Sequence, residues 1–355
     1  MNIRVEKRNE LKQKPQDESK LGFGKVFSDH MFMMDYQEGT GWHDARIVPY
    51  GNLSISPAAT VLHYSQECFE GMKAYHDAQG GISLFRPRDN FKRMNRSAQR
   101  LCMPQLDVEE AMEGLKTLIE LDQAWVPKSK GTALYIRPNY IGVDPFIGVS
   151  AAKNYLFYIM TGPVGAYYAS GLAPVAIYVE EQYVRAVKGG TGFAKTGGNY
   201  AASLIAGEEA HKKGFSQALW LDGKEGKYIE EVGSMNMFFK IDGVLVTPAL
   251  EGSILPGITR DSVIQLAKHM NVPVEERKIS LQEVLQALES GKMEEAFGTG
   301  TAAVISPVGE LYFGGKTHVI NGGEMGELSK KLYDTLTGIQ YGELDDPFGW
   351  RVKLI

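Results

Sequence analysis

The chain has 355 residues, a formal net charge of -5, 43% hydrophobic residues and 23% charged residues. That length exceeds one ordinary hydrophobic core and implies two domains. The mildly acidic balance gives no electrostatic footprint for nucleic acid or an anionic membrane.

Residues 1–20 are polar and charged, lack the apolar core of a signal peptide, and read as a loose arm. No run of about 18 apolar residues occurs, so no membrane span is expected, and the expectation is a cytoplasmic protein. Two cysteines, Cys68 and Cys102, are too few for a disulfide scaffold and too far apart for a local metal clip. Both are expected to be buried, reduced thiols, and no metal is expected.

The helical period appears first in residues 89–101, with Phe91, Met94, Ala98 and Leu101 on one face, then in residues 107–121 with Val108, Met112, Leu115 and Ile119. Strands are expected at Leu134–Pro138, Tyr155–Met160, Ala173–Val179, Ala218–Leu221 and Met235–Ile241. The stretch from Thr161 to Ala166 is punctuated by Gly162, Pro163 and Gly165 and is expected to end the first domain. The division is therefore residues 1–164, a linker at 165–176 and a second domain at 177–355. Asp242-Gly243 between the apolar runs Met237–Ile241 and Val244–Val246 signals a hairpin. Residues 260–270 carry Val263, Leu266, Ala267 and Met270 at helical spacing. Ser280 and Glu283 form a capping box ahead of Val284, Leu285 and Leu288, and Gly291 stops that helix. Hairpins beside helices point to an α/β protein with mixed α+β sheets, not a doubly wound parallel sheet.

The densest chemical anomaly is Gly189 to Gly198, where five glycines and Ala194 surround a single lysine, Lys195. Glycine lets a backbone turn sharply or approach a ligand closely, although most loop lysines are only solvated. A phosphate-binding loop is the rival reading. It wants a second glycine before the lysine, where Ala194 stands, and a helix where Gly197 and Gly198 follow. Leu255-Pro256-Gly257-Ile258-Thr259 leads into the helix at 260–270. A helix N-terminus is a ready anion site, but taken alone the segment is more simply capped by Thr259. Gly298 to Ala302 offers backbone and hydroxyl donors, and alone is a Gly-rich turn. Glu230 and Glu231 are adjacent in a strand and face opposite ways, which leaves one buried and the other in solvent. The buried one needs a cationic partner or it protonates.

Gly190 to Tyr200, Glu231 to Asn236 and Leu255 to Arg260 resemble the signature segments of class IV aminotransferases. Phe69 to Lys73, Leu84 to Pro87, Tyr135 to Pro138 and Gly298 to Ala302 resemble, more narrowly, the branched-chain aminotransferases. The likeness runs from about Gly22 to about Gly342. It implies a two-domain fold-type IV enzyme with a small N-terminal and a larger C-terminal domain, a site between them, pyridoxal 5'-phosphate as cofactor and a homodimer.

Residue roles follow from the resemblance alone. It makes Lys195 the catalytic lysine that carries the cofactor, Glu231 the partner of the pyridine nitrogen, and Tyr200 the partner of the ring hydroxyl. Arg93, Gly257, Ile258, Thr259 and Thr301 would hold the phosphate, with Arg185 near it, Ser234 beside the cofactor and Leu255 against the ring. Phe23, Phe69, Tyr135 and Tyr167 would line the substrate pocket, and Tyr64 and Val149 would reach in from the partner subunit. Thr301 and Ala302 would bind the α-carboxylate, and Arg137 or the Tyr64 hydroxyl the distal carboxylate of glutamate. Ser234 stands where a threonine is common in the family. Ala303 and Ser306 stand where some relatives have Cys-x-x-Cys, which excludes thiol regulation there.

The implied reaction is amino transfer between leucine, isoleucine or valine and 2-oxoglutarate, with ping-pong kinetics. The alternatives are a D-amino-acid aminotransferase or aminodeoxychorismate lyase on the same fold, a P-loop nucleotide enzyme, and a non-catalytic binding protein. The sequence does not rank the three branched substrates, since one methylene in an apolar pocket is worth only about 1–3 kcal/mol.

Overall fold

The computed structural model describes residues 1–165 and 171–355. Tyr167, expected in the substrate pocket, lies outside the described residues. In chain order the elements are β1 (Arg4–Val5), β2 (His30–Gln37), β3 (Gly41–Pro49), α1 (Thr60–Tyr64), β4 (Glu67–Phe69), β5 (Met72–His76), β6 (Ile82–Phe85), α2 (Pro87–Arg100), α3 (Val108–Leu121), β7 (Ala133–Gly142), β8 (Asn154–Val164), β9 (Val175–Val179), α4 (Gly197–Lys212), β10 (Gln217–Leu221), β11 (Ile229–Val232), β12 (Met235–Ile241), β13 (Val244–Thr247), α5 (Ile258–His269), β14 (Val274–Glu276), α6 (Leu281–Glu289), β15 (Met293–Gly300), β16 (Val304–Phe313), β17 (Lys316–Val319), α7 (Glu327–Gln340) and β18 (Arg351–Lys353). The chain forms two compact units. The first takes Met1–Ala169, Ala194–Gly197 and Gly338–Ile355, and the second takes Ser170–Phe193 and Gly198–Thr337.

The first unit holds a nine-stranded sheet in the order β1-β3-β2-β8-β7-β5-β6-β18, with β4 also paired to β7. Every pairing is antiparallel except β1 with β3. The apolar stripes of α2 and α3 supply Phe91, Met94, Ala98, Met112, Leu115 and Ile119 to one core, together with Phe32, Ile47, Ile136 and Phe157 of the sheet. Each large side chain buried this way contributes about 1.5–3 kcal/mol.

The second unit also holds a nine-stranded sheet. Because β11 pairs with both β10 and β12, the strands β11-β10-β9-β16-β15-β12 close into a ring, which β13, β14 and β17 extend. Closure leaves the ring no open edge to pair with another chain. Ile177, Leu219, Val232, Met237, Phe239, Val308 and Leu311 fill its core. The sheet is mixed, with β9 parallel to β10 and β16, and β13 parallel to β14. Both units thus have the mixed α/β character expected. Among the described residues no helix is long and apolar enough to cross a membrane, and no group of three or more His, Cys, Asp or Glu is placed to hold a metal.

Several local expectations change. The arm is anchored. β1 pairs with β3, and the Arg8 and Lys12 backbone N–H groups donate to His30 Nε2 (2.9 Å) and Asp29 Oδ1 (2.8 Å). The Lys12 ammonium donates to the carbonyls of Phe27 and Ser28. Polar composition concealed this because the contacts are hydrogen bonds, not an apolar stripe. The punctuated stretch after Met160 is the end of β8. Pairing with β2 stops at Met160, so Pro163 there has no second ladder to serve and strand pairing with β7 continues through Val164. The C-terminal residues, expected in the second domain, belong to the first unit because β18 pairs with β6. Cys68 is buried, but Cys102 is exposed, in a left-handed conformation just past α2.

The hairpin forms as expected, with Asp242 and Gly243 both at positive φ. Ser280 caps α6 by accepting from the Glu283 N–H (3.1 Å). The other half of the expected box is redirected, since the Glu283 carboxylate pairs with Arg277 (2.7 Å). Ser280→Ala should therefore lower stability by about 1 kcal/mol, read as a shift of the urea midpoint. An unchanged midpoint would mean that the Arg277–Glu283 pair alone holds this helix start.

Candidate active site

In the first unit, residues 194–197 lie beside β4. The Lys195 carbonyl accepts from the Phe69 N–H (3.1 Å), the Lys195 N–H donates to Ser97 Oγ of α2 (2.9 Å), and the Thr196 hydroxyl donates to the Glu67 carbonyl (2.7 Å). This strand-like docking fixes the lysine backbone on both sides. The Lys195 ammonium stands 4.9 Å over the centre of the Phe69 ring, and the Arg137 guanidinium also lies 4.9 Å from that ring. Arg137 donates to the Tyr135 hydroxyl (3.1 Å), and Phe23 packs edge-on against Tyr135 at 4.9 Å. Lys195, Phe69, Arg137, Tyr135 and Phe23 thus form one group, an amine and a guanidinium against an aromatic wall. The Nε of Arg137 is buried and has no hydrogen-bond partner among the described residues.

Two acids near this group were not singled out from the sequence. Burial pushes the Glu67 carboxyl up, opposed by a hydrogen bond from Gly197 and by the Arg137 charge. Glu70 is fully buried and takes a two-point contact from Arg93, with Nε to Oε1 at 2.7 Å and Nη2 to Oε2 at 2.8 Å, while Asn90 donates to Oε2 at 2.9 Å. Arg93, expected to hold a phosphate, is 4% exposed and makes this pair. The pair is readable only once α2 and the turn after β4 are known to touch. Tyr64 is exposed and donates its hydroxyl to the Ile147 carbonyl. Val149 is 87% exposed, outside the group formed around Lys195.

In the second unit, both adjacent glutamates of β11 are buried, contrary to the expectation that one would be solvated. Glu231 has partners that offset the cost of burial, whereas burial pushes the Glu230 carboxyl up and its Oε2 finds no hydrogen bond among the described residues. Arg185 lies 3.3 Å from Glu231 Oε1, which also accepts from the Leu255 N–H (2.7 Å). Ser253 donates its hydroxyl to Glu230. Arg185, expected near the phosphate, faces Glu231 and donates to the carbonyls of Gly192 (3.0 Å) and Ser253 (2.5 Å).

Glu231 lies in register with Asn236, and Asn236 with Thr299, so one row crosses β11, β12 and β15. Thr301 and Ala302 follow that row in the turn after β15, and the first three residues of the Gly298 to Ala302 segment are strand. Asn236 donates to the Leu255 carbonyl (2.9 Å), which leads the chain into α5. The cap residue of α5 is Gly257, no side chain caps it, and Thr259 is buried inside the first turn. Thr259 is therefore not the cap expected from the sequence. A Cβ on Gly257 would run into the Asn236 carboxamide, so only glycine fits there. Tyr200 sits in the first turn of α4 and is partly buried. Ser234 is exposed in the turn between β11 and β12. Helix α4 begins at Gly197, where the sequence suggested that two glycines would prevent a helix.

These features belong to a pyridoxal-phosphate-dependent transaminase, and the comparisons agree: the model of the amino-transferase class IV family matches residues 67–311, so the chain belongs to the class IV aminotransferases. Over 352 residues it is 58% identical to a protein of Bacillus subtilis (strain 168) named branched-chain-amino-acid aminotransferase 2, covering 99% of this chain and 97% of that one. A crystal structure of the branched-chain amino acid aminotransferase of Escherichia coli superposes with a TM-score of 0.77 at 29% identity, covering 91% of this chain and 99% of that chain. A second solved branched-chain amino acid aminotransferase, complexed with N-(5'-phosphopyridoxyl)-L-glutamate, superposes with a TM-score of 0.73 at 26% identity, covering 91% of this chain and 98% of that chain.

Proposed function

We propose that this protein is a cytoplasmic, homodimeric branched-chain L-amino-acid aminotransferase that moves the amino group between leucine, isoleucine or valine and 2-oxoglutarate on pyridoxal 5'-phosphate. The observation that carries this reading is the group around Phe69, where an amine and a guanidinium flank an apolar aromatic wall. The high identity to a branched-chain aminotransferase over almost the whole chain supports it, as does the phosphopyridoxyl-glutamate complex of a structural neighbour.

The residues present fit the cofactor. The first turn of α5, with no side-chain cap and a buried Thr259, offers hydroxyl and backbone donors to a phosphate. Glu231, braced by Arg185 and the Leu255 N–H, is a carboxylate suited to a protonated ring nitrogen. Bound pyridoxal phosphate supplies an electron sink that lets the substrate Cα–H bond break.

In this reading Lys195 takes and returns the Cα proton at its Nζ, and Glu231 holds the proton at the pyridine nitrogen. Tyr200 hydrogen-bonds the ring hydroxyl. Arg93, Gly257, Ile258, Thr259 and Thr301 hold the phosphate, while Leu255 packs on the ring, with Arg185 and Ser234 nearby. Phe23, Phe69, Tyr135 and Tyr167 enclose the branched side chain, and Thr301 and Ala302 bind the α-carboxylate. The Nε of Arg137, buried with no hydrogen-bond partner among the described residues, is suited to the distal carboxylate of glutamate. Tyr64 and Val149 serve the neighbouring subunit, a role supported by the exposure of Leu62, Phe146, Ile147 and Val149 in the same unit.

The test is the visible absorption of the purified holoenzyme. Leucine should shift the band and 2-oxoglutarate should restore it, and initial-rate lines should run parallel. A band that ignores leucine but responds to D-alanine would overturn the specificity. A protein that stays colourless with added cofactor would overturn the reading as a whole.

A further inference from the structure

Glu230 has no part in the reaction as described, yet it is 8% exposed. A carboxyl in that position is costly to bury, and burial pushes it up, opposed by the Ser253 hydrogen bond and the Arg185 charge. The segment that donates to it is also the segment that holds Glu231. The Ser253 hydroxyl donates to Glu230 Oε1. The Ser253 carbonyl accepts from Arg185 Nη2 at 2.5 Å, and the same nitrogen lies 3.3 Å from Glu231 Oε1. Two residues on, the Leu255 N–H donates to Glu231 Oε1 at 2.7 Å. The two neighbouring glutamates, aimed to opposite faces of β11, are therefore tied to one short stretch of chain from both sides. We infer that Glu230 is a positioning residue for Glu231, acting through Ser253, Leu255 and Arg185. The Glu230 carboxylate accepts the Ser253 hydroxyl, and the carbonyl of the same residue accepts from Arg185. Glu230 and Ser253 also line a cleft of about 350 Å³ together with Val187, Pro248 and Ile254.

This inference rests on the reading of Glu231 as the partner of the cofactor's ring nitrogen, so its test separates the two. The pH midpoint of the visible band is measured for the wild-type holoenzyme and for the E230A, E230Q, S253A and E230A/S253A variants, alongside kcat and KM for leucine. A loosened Glu231 holds the ring-nitrogen proton less well; with less positive charge on the ring, the nitrogen that Lys195 contributes keeps its own proton to higher pH, and the midpoint of the band rises. E230A should raise it by about 0.5 unit or more and lower kcat roughly tenfold, with KM little changed. E230Q keeps an acceptor oxygen for Ser253 and should return both to near wild type. S253A should reproduce the E230A shift, and the double variant should add nothing, as expected of two residues acting through one hydrogen bond. Should E230A fail to fold, S253A against E230Q makes the same comparison. A wild-type midpoint in S253A, additive shifts, or equal shifts in E230A and E230Q would each overturn the inference, the last because the cause would then be lost charge. A wild-type protein with no visible band would overturn the cofactor reading and this inference with it.

Discussion

Lys195→Ala is expected to lower kcat for transamination roughly ten-thousand-fold or more and to remove the lysine-dependent visible band, while leaving the fold intact. The fold should survive because the lysine is docked through its backbone. Its carbonyl and N–H bonds to Phe69 and Ser97 do not depend on the side chain. Among what the substitution removes from the folded state are an ammonium over the Phe69 ring, worth about 0.5–1 kcal/mol at a partly exposed site, and its charge near Glu70. The unfolding midpoint should therefore move little while catalysis collapses, and that contrast identifies a chemical role. Lys195→Arg is the sharper control. It keeps the charge over Phe69, but guanidinium stays protonated and is not the nucleophile an amine is, so it should be as inactive as alanine. Single-turnover and steady-state rates with leucine and 2-oxoglutarate measure both. An alanine variant that retains more than a few per cent of the wild-type rate would remove Lys195 from the chemistry.

The segment around Lys195 stands out in the sequence because glycine density is a local signal. The helices at α2, α3, α5 and α6 and the Asp242-Gly243 hairpin were legible for the same reason, since period, caps and turn residues lie within a few positions of one another. Helix α4 was not. Its apolar Leu204 and Ile205 are exposed and its buried face is Asn199, Ala206 and Ala210, so no amphipathic stripe marks it. Helix α7 did carry a stripe, Leu328, Leu332, Leu336 and Ile339, all buried. The acids around the candidate site were the least legible part. Glu70 and Glu230 each draw a main partner from far along the chain, Arg93 for one and Ser253 for the other. A sequence shows the charge but not the distant residue that makes its burial tolerable. The same limit hid the position of Arg185 beside Glu231, which depends on the pairing of β11 and on the path of the segment before α5.

Glu70→Ala should be the most destabilising single change in the first unit, costing about 3–5 kcal/mol, because it leaves the Arg93 guanidinium buried without the carboxylate that faces it. Glu70→Gln should cost less, since it fills the space and keeps a hydrogen-bond acceptor. The pair also gives a pH dependence with a definite sign. Burial alone would raise the Glu70 carboxyl, but the Arg93 charge and hydrogen bonds, the Lys195 charge and the Asn90 hydrogen bond outweigh it and hold the carboxyl below its ordinary value. The unfolded chain titrates that group near the usual carboxylate value, about 4.3. Stability from the pair is therefore fully present above that value and is lost as the pH falls through the lower value of the folded state. Urea denaturation of the wild type should show this loss on acidification below about pH 5, and Glu70→Gln, which has nothing to protonate there, should show a shallower one. Parallel curves for the two proteins would mean that other carboxylates dominate acid unfolding. An alanine variant within about 1 kcal/mol of wild type would mean that Arg93 is satisfied without Glu70, which the near-complete burial of both side chains argues against.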